Sequence, residues 1–121
     1  MDLLCVYIVG MAEILGVFEQ VVLLAVLRLD ADAYGRSVLR EVETSFKGTR
    51  IVAAGAVYIT LDRLEFKGLL SSTLREGTVE RGGRKRRFYR LTPAGSVALN
   101  DAKSALESIW RSSRWPIEVQ S

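Results

Sequence analysis

The side chains of this chain best suited to chemistry are the cations of residues 75–90. This segment has a net charge of +5, because seven basic residues outnumber Glu76 and Glu80. The basic residues are Arg75, Arg81, Arg84, Lys85, Arg86, Arg87 and Arg90. The whole chain is only +3, and the remaining residues therefore carry −2. A patch this local predicts a polyanionic partner whose phosphates the guanidinium groups would bind. The alternative is a solvated hairpin that its arginines keep soluble.

Other kinds of chemistry have little support in the sequence. The chain has no histidine and a single cysteine, Cys5, so it lacks the commonest general base and cannot assemble a zinc site of Cys/His type. It has no glycine-rich nucleotide motif, and Asp30 and Asp32 fit turn and capping positions better than a metal site. We therefore expect a protein that is not an enzyme and that needs no metal or other cofactor. Its 121 residues, 49% apolar and 26% charged, predict one globular domain.

The N-terminal part is apolar enough to suggest a membrane span, but Glu13, Glu19 and Gln20 interrupt it. A span needs about 20 predominantly apolar residues. The start of a signal peptide would require basic residues, but none precedes Arg28. Cys5 has no partner in the chain for a disulfide, which fits a reducing compartment. We therefore expect a cytoplasmic protein that does not associate with membranes.

Apolar periodicity and turn residues predict the order of the elements. Helices are expected over 13–29, 33–46 and 54–67, a brief strand at 50–52, and a hairpin with strands 69–74 and 86–91. Thr92 and Pro93 then begin a last helix. The domain boundaries that follow are an N-terminal extension at 1–12, a DNA-binding domain at 13–92, a helix at 93–111 and a tail at 112–121. Whether residues 1–10 are a genuine part of the protein is open, because Met11 could start translation.

A helix followed by a basic hairpin is the arrangement of a DNA-entering helix and a wing. Val57, Leu61 and Leu64 recur at helical spacing and should face the core. The candidates for DNA contact are Tyr58, Thr60, Arg63 and Lys67 on the helix and Arg81, Arg84, Lys85, Arg86 and Arg87 on the hairpin. For Tyr58, core packing with the hydroxyl at the surface is an equally consistent alternative.

The first and last helices carry more apolar side chains than one small domain can cover. We expect them to form a homodimer interface that contains Phe18, Val22, Leu99, Leu106, Ile109 and Trp110. The alternatives are a central core helix in a monomer and a last helix packed on its own chain.

Together these features resemble the PadR family of winged-helix transcriptional regulators. The resemblance depends on AYG at 33–35, GAVYITLDRLEFKGLL at 55–70 and GGRKRRFYRLTPAG at 82–95, in that order, and it covers most of residues 13–100. The segment RRFYRLTPAG also occurs in similar form in the MarR family, whereas GAVYITLDRLE is typical of PadR proteins. The chain departs from the family at Ala53 and Ala54, where serine or threonine is common.

The resemblance implies a mainly α fold with a small β-wing, that is, a winged helix-turn-helix with an added C-terminal dimerisation helix. It implies a homodimeric repressor that binds double-stranded DNA, with the third helix in the major groove and the wing on the DNA backbone. It also implies a small aromatic effector near Trp110, for which plain interface packing is the alternative. The competing function is a winged-helix protein-interaction module without specific DNA binding.

Overall fold

The computed structural model describes residues 15–47, 51–76 and 85–114. In this part of the chain, four α-helices and one antiparallel hairpin follow one another: α1 (Val17–Leu29), α2 (Gly35–Ser45), α3 (Ala54–Phe66), β1 (Leu70–Arg75), β2 (Arg86–Leu91) and α4 (Pro93–Ser112). A short 3₁₀ turn, Asp30–Asp32, joins α1 to α2. The predicted helices and hairpin are present, and their ends differ from the prediction by at most two residues, except that α1 begins at Val17, so that Leu15 and Gly16 of the predicted helix 13–29 precede it.

Helix α1 is the centre of the fold. It packs against α2, α3, β2 and α4, and Val22, Leu23, Ala25 and Val26 are buried in it. The helix begins where the backbone N–H of Gly16 donates to the carboxylate of Glu19, 3.2 Å away. Neighbouring elements therefore cover α1 on several sides, which agrees with the apolar side chains around most of its circumference.

The hairpin is fixed to the helices by an extra strand contact. Its two strands pair from Leu70 opposite Leu91 to Arg75 opposite Arg86. The backbone N–H of Tyr89 donates to the carbonyl of Ala33 at 2.8 Å, and an isolated bridge links Tyr34 to Phe88. Ala33 and Tyr34, in the connection between α1 and α2, therefore lie beside β2 where a third strand would pair.

The predicted strand at 50–52 is wrong for the two of its residues that the structure describes. Ile51 and Val52 have no strand structure. Residues 51 and 52 have β-branched side chains, but Ala33 and Tyr34 already occupy the edge of β2 that β1 leaves free, so they cannot pair there. Val52 instead packs against the core, while Ile51 is fully exposed.

Helix α4 begins on the core and then leaves it. The Thr92 hydroxyl accepts from the N–H of Gly95 at 3.0 Å and donates to the carbonyl of Gly68 at 2.6 Å, while Pro93 is the first helical residue. Gly95 is buried against Leu69, so close that a Cβ there would lie 2.2 Å from the Leu69 carbonyl oxygen. Beyond Ala102 every described residue of α4 is exposed.

The fold is mainly α with a two-stranded wing. Helices α2 and α3 with the hairpin β1–β2 form a winged helix-turn-helix, and α4 is added after it. Among the helices that the structure describes, none is long and apolar enough to cross a membrane. The described residues also contain no cluster of three side chains of the kinds that commonly hold a metal ion.

Candidate nucleic-acid interface

One surface of the domain brings together a cation of α2, three cations of the wing and a tyrosine of α3. A cleft of about 690 Å³ lies between the start of α2, the first half of α3 and the end of the wing. Its described lining is Tyr34, Gly35, Arg36, Tyr58, Lys85, Arg86, Arg87 and Tyr89, which we call the basic cleft. Four of these side chains are cationic and none is acidic. An opening with this charge attracts phosphate groups.

Tyr58 of α3 sits against Gly35 at the start of α2. A Cβ at position 35 would lie only 2.4 Å from Cε1 of the Tyr58 ring, so only glycine leaves the ring in its present position. The glycine of AYG and the tyrosine of GAVY are thus direct neighbours, although 23 positions separate them in the sequence. Tyr58 remains 42% exposed and can therefore contact a ligand in the cleft.

Arg87 is held on β2, near the end of the wing, by a contact that leads to α3. Its Nη1 donates to the Ser72 hydroxyl at 2.8 Å, and that hydroxyl in turn donates to the carboxylate of Glu65 on α3. The side chain of Arg87 stays exposed. Because one donor nitrogen is fixed in this way, the guanidinium can present its other N–H groups to the cleft with less loss of side-chain entropy.

Arg86 belongs to an aromatic stack between the wing and the start of α2. Its guanidinium carbon lies 4.1 Å from the centre of the Tyr34 ring, and Tyr34 meets Phe88 edge to face at 5.5 Å. The guanidinium of Arg75 covers the Phe88 ring at 4.3 Å. Nη1 of Arg86 is buried and has no hydrogen-bond partner among the described residues. Arg86 is therefore half-buried and positions the wing, in contrast to the more accessible Arg87.

The other wing cations predicted from the sequence stand differently. Lys85 is exposed and forms a long ion pair of 3.8 Å with the exposed Glu76. A pair of this kind is weak in water, so a phosphate can displace the carboxylate. Arg81 and Arg84 lie outside the described residues.

Three candidates on α3 do not reach the basic cleft. Thr60 is only 5% exposed, because it lies three positions after the buried Val57 and turns to the same core side of the helix. The Lys67 ammonium pairs with Glu19 of α1 at 2.9 Å. Arg63, one helical turn before Lys67, is exposed near the same carboxylate. The prediction that Thr60 contacts bases is therefore corrected, and Arg63 and Lys67 face α1.

The pKa of Glu19 reflects this cluster. Burial alone would raise the pKa of the carboxyl group. The hydrogen bonds from Lys67 and from the backbone N–H of Gly16 outweigh that effect, together with the charges of Lys67 and Arg63, so the pKa falls below its usual 4.5. These two cations therefore help to hold α3 against α1.

Arg36 is the one cation of the described cleft lining that sequence reasoning did not identify as a DNA contact; Tyr34, Gly35 and Tyr89 were not among the candidates either. It is exposed in the first turn of α2, where unpaired backbone N–H groups and the helix dipole already favour an anion. The signal was available, since Arg36 directly follows the AYG at 33–35. Without the fold, however, nothing indicated that this turn lies beside Tyr58.

A second surface, apolar and separate from the cleft, lies between α1 and α4. We call it the apolar groove: it measures about 480 Å³ and its apolar lining is Leu24, Leu27, Leu91, Leu99, Leu106 and Trp110. Leu27 is 54% exposed and Leu106 is 44% exposed. Ile109, near the end of α4, is 61% exposed.

Three of the six predicted dimer contacts do not line this groove, namely Phe18, Val22 and the exposed Ile109. Val22 is completely buried in the core of its own chain, so the prediction that it contacts a partner is corrected. Phe18 is half-buried against the core and faces a different pocket, next to Phe46. On α1, the apolar residues that line the groove are instead Leu24 and Leu27, which are three positions apart on one helix face.

Comparison with known proteins identifies the family. Residues 23–101 match the model of the transcriptional regulator PadR-like family. The chain is 44% identical over 82 residues to the transcriptional regulator Rv3488 of Mycobacterium tuberculosis, which spans 68% of this chain and 70% of that protein.

Solved structures share the fold. A PadR-like transcription factor from Bacteroides fragilis matches with a TM-score of 0.63 and 25% identity, over 85% of this chain and 90% of its own. BpsR of Bordetella bronchiseptica, whose DNA binding is regulated by 6-hydroxynicotinic acid, matches with a TM-score of 0.58 and 21% identity, over 87% and 69% respectively. On the family match and the identity to Rv3488, this chain belongs to the PadR-like family of transcriptional regulators.

Proposed function

We propose that this protein is a sequence-specific DNA-binding regulator, and not an enzyme, that acts in the cytoplasm as a homodimeric repressor. The observation that carries the proposal is the basic cleft, in which Arg36, Tyr58 and Arg87 from three elements border one opening. Neutralising phosphates with such cations releases condensed counterions and so favours binding to duplex DNA. Membership of a family of transcriptional regulators supports the same function.

In this proposal α3 enters the major groove and the wing lies along the backbone. The position of Tyr58 supports the first half of α3 as the part nearest the DNA, because Tyr58 borders the cleft from the second turn of that helix. Arg36 at the start of α2 and Arg87 on the wing then flank α3 and can bind the phosphates on either side of the groove.

The homodimer would form through the apolar groove and the exposed end of α4. Leu24, Leu27 and Leu106 are exposed there, with Ile109 and Trp110 nearby. An isologous contact through this surface would relate the two subunits by a twofold axis. The operator is then expected to be nearly palindromic, with half-sites about one helical turn apart or a multiple of that.

A small aromatic effector would bind in the same groove. Its volume of about 480 Å³ is within the range of small-molecule sites, and Trp110 supplies an aromatic face. The regulation of BpsR by 6-hydroxynicotinic acid offers a parallel in a protein of similar fold. The alternative is that the partner subunit fills the groove completely.

The test is fluorescence anisotropy with the promoter of the protein's own gene and with scrambled DNA of equal length. The promoter should bind more tightly, and Arg36→Ala and Arg87→Ala should each weaken binding to both duplexes. Arg90→Ala is the matched control, since Arg90 lies on the same strand as Arg87 but borders a separate pocket near Asp30. Sedimentation of the free protein should give the mass of a dimer.

Weak and equal binding to both duplexes, with no difference among the three variants, would contradict the proposal. It would favour the winged-helix interaction module, and a pull-down with the purified domain would then identify the protein partner. A monomer in sedimentation would overturn the dimer alone.

A further inference from the structure

The face of α3 that points away from the core carries few groups that can hydrogen-bond to DNA. Val57, Leu61 and Leu64 are completely buried and define the core side. The opposite side consists of Gly55, Ile59, Asp62 and Phe66, which follow one another at helical spacing and are all exposed.

The part of α3 that borders the basic cleft has the fewest polar side chains. Between residues 54 and 60 only Tyr58 and Thr60 have polar side chains, and Thr60 is buried. The bidentate pairs that read guanine or adenine need arginine, lysine, asparagine or glutamine, and none stands here. Direct readout by this part of the helix therefore depends on one phenol and on apolar contact.

Ile59 is the side chain placed for such an apolar contact. It is 60% exposed and directly follows Tyr58, which lines the basic cleft. One turn earlier, a Cβ built on Gly55 would find no atom within 4 Å, so the helix surface beside Ile59 is low and open. A base edge can approach closely there, and the only apolar group on a base edge in the major groove is the C5-methyl of thymine.

We propose that Ile59 is a specificity-determining residue that packs on the C5-methyl group of a thymine in each half-site of the operator. The inference rests on the proposed function and adds to it the chemistry of one base that is read. It also assigns a role to an exposed isoleucine that contributes nothing to the domain core. Ile59 would select thymine through the methyl group and not through a hydrogen bond.

The experiment removes the methyl group from the DNA and its partner from the protein. Binding sites are first selected from a random duplex library with the wild-type protein. In the selected duplex each thymine is then replaced in turn by deoxyuridine, which lacks only the C5-methyl, and affinity is measured by anisotropy at constant salt. One thymine per half-site should be sensitive, with a loss of about fourfold for each buried methyl group.

Variants assign that loss to Ile59. The Ile59→Ala protein should bind the thymine and deoxyuridine duplexes with equal affinity, because the contact is already gone. Phe66→Ala is the matched control, as Phe66 is 93% exposed on the same face of α3 but lies two turns further from the cleft. That variant should keep the full fourfold sensitivity.

The outcomes separate the inference from the function beneath it. If no sequence is enriched from the library, the proposed function fails. If sequences are enriched but no deoxyuridine substitution matters, or if Ile59→Ala remains as sensitive as the wild type, Ile59 does not read thymine and the inference is overturned. Unchanged affinity of Ile59→Ala for the selected duplex would overturn it as well.

Discussion

Replacing Gly35 by alanine should destabilise the domain through a clash with Tyr58. The new Cβ would lie 2.4 Å from Cε1 of the ring, closer than any relaxed contact allows. Since Tyr58 is 42% exposed, its ring can swing toward solvent, which keeps the cost at the lower end of overpacking, about 1–2 kcal/mol of unfolding free energy. The ring already lines the basic cleft, so its displacement would change the shape of the cleft and weaken DNA binding.

A double-mutant cycle tests this reasoning by urea unfolding at one protein concentration. With Tyr58→Ala the obstacle is gone, and adding Gly35→Ala should be neutral or stabilising by up to about 1 kcal/mol, because alanine is favoured over glycine in a helix. An equal loss in both backgrounds would refute the proposed contact.

Gly95→Ala supplies the contrast. Its Cβ would meet the backbone carbonyl of Leu69 at 2.2 Å, and a backbone carbonyl cannot swing away as an exposed ring can. The loss should therefore exceed that of Gly35→Ala, and Tyr58→Ala should not relieve it.

Three further predictions concern other parts of the domain. Glu19 has a lowered pKa in the folded protein, so its ionised carboxylate stabilises the fold at pH values above the usual pKa of 4.5, and this stabilisation is lost as the pH falls through the pKa of the folded state. The free energy of unfolding, measured from pH 7 to pH 3, should show this loss, and the loss should be smaller in Glu19→Gln. Ser72→Ala removes the hydroxyl that holds Arg87 and should lower DNA affinity several-fold in anisotropy, while the midpoint of urea unfolding changes little. Leu24→Glu places a charge in the apolar groove and should convert the dimer to monomers in sedimentation with the fold retained in circular dichroism; a persistent dimer would place the interface elsewhere.

The sequence predicts the elements of this fold well, since the helices and the hairpin follow from apolar periodicity, caps and glycines. Gly68, with a φ of 77°, ends α3 as expected from its position in the sequence. The errors arise where tertiary contacts decide. Residues 51 and 52 have β propensity but no partner strand, whereas Tyr34 pairs with the wing from a helix–helix turn.

The candidate site was only partly predictable for the same reason. Tyr58 and the wing cations followed from local pattern and charge. The contact between Tyr58 and Gly35 depends on how α2 crosses α3, and so does the presence of Arg36 in the cleft. Thr60 is different, because its spacing from Val57 and Leu64 already indicated the core side.

The most direct test of the central claim, that the basic cleft binds phosphates, is the salt dependence of DNA affinity. If Arg36 and Arg87 each neutralise one phosphate per subunit, a dimer makes four such contacts, and the log–log slope should be about −3.6 or steeper. Arg36→Ala and Arg87→Ala should each reduce its magnitude by about 1.8, while Arg90→Ala should leave it unchanged. Equal slopes for all four proteins, or the same reduction with Arg90→Ala, would contradict the account.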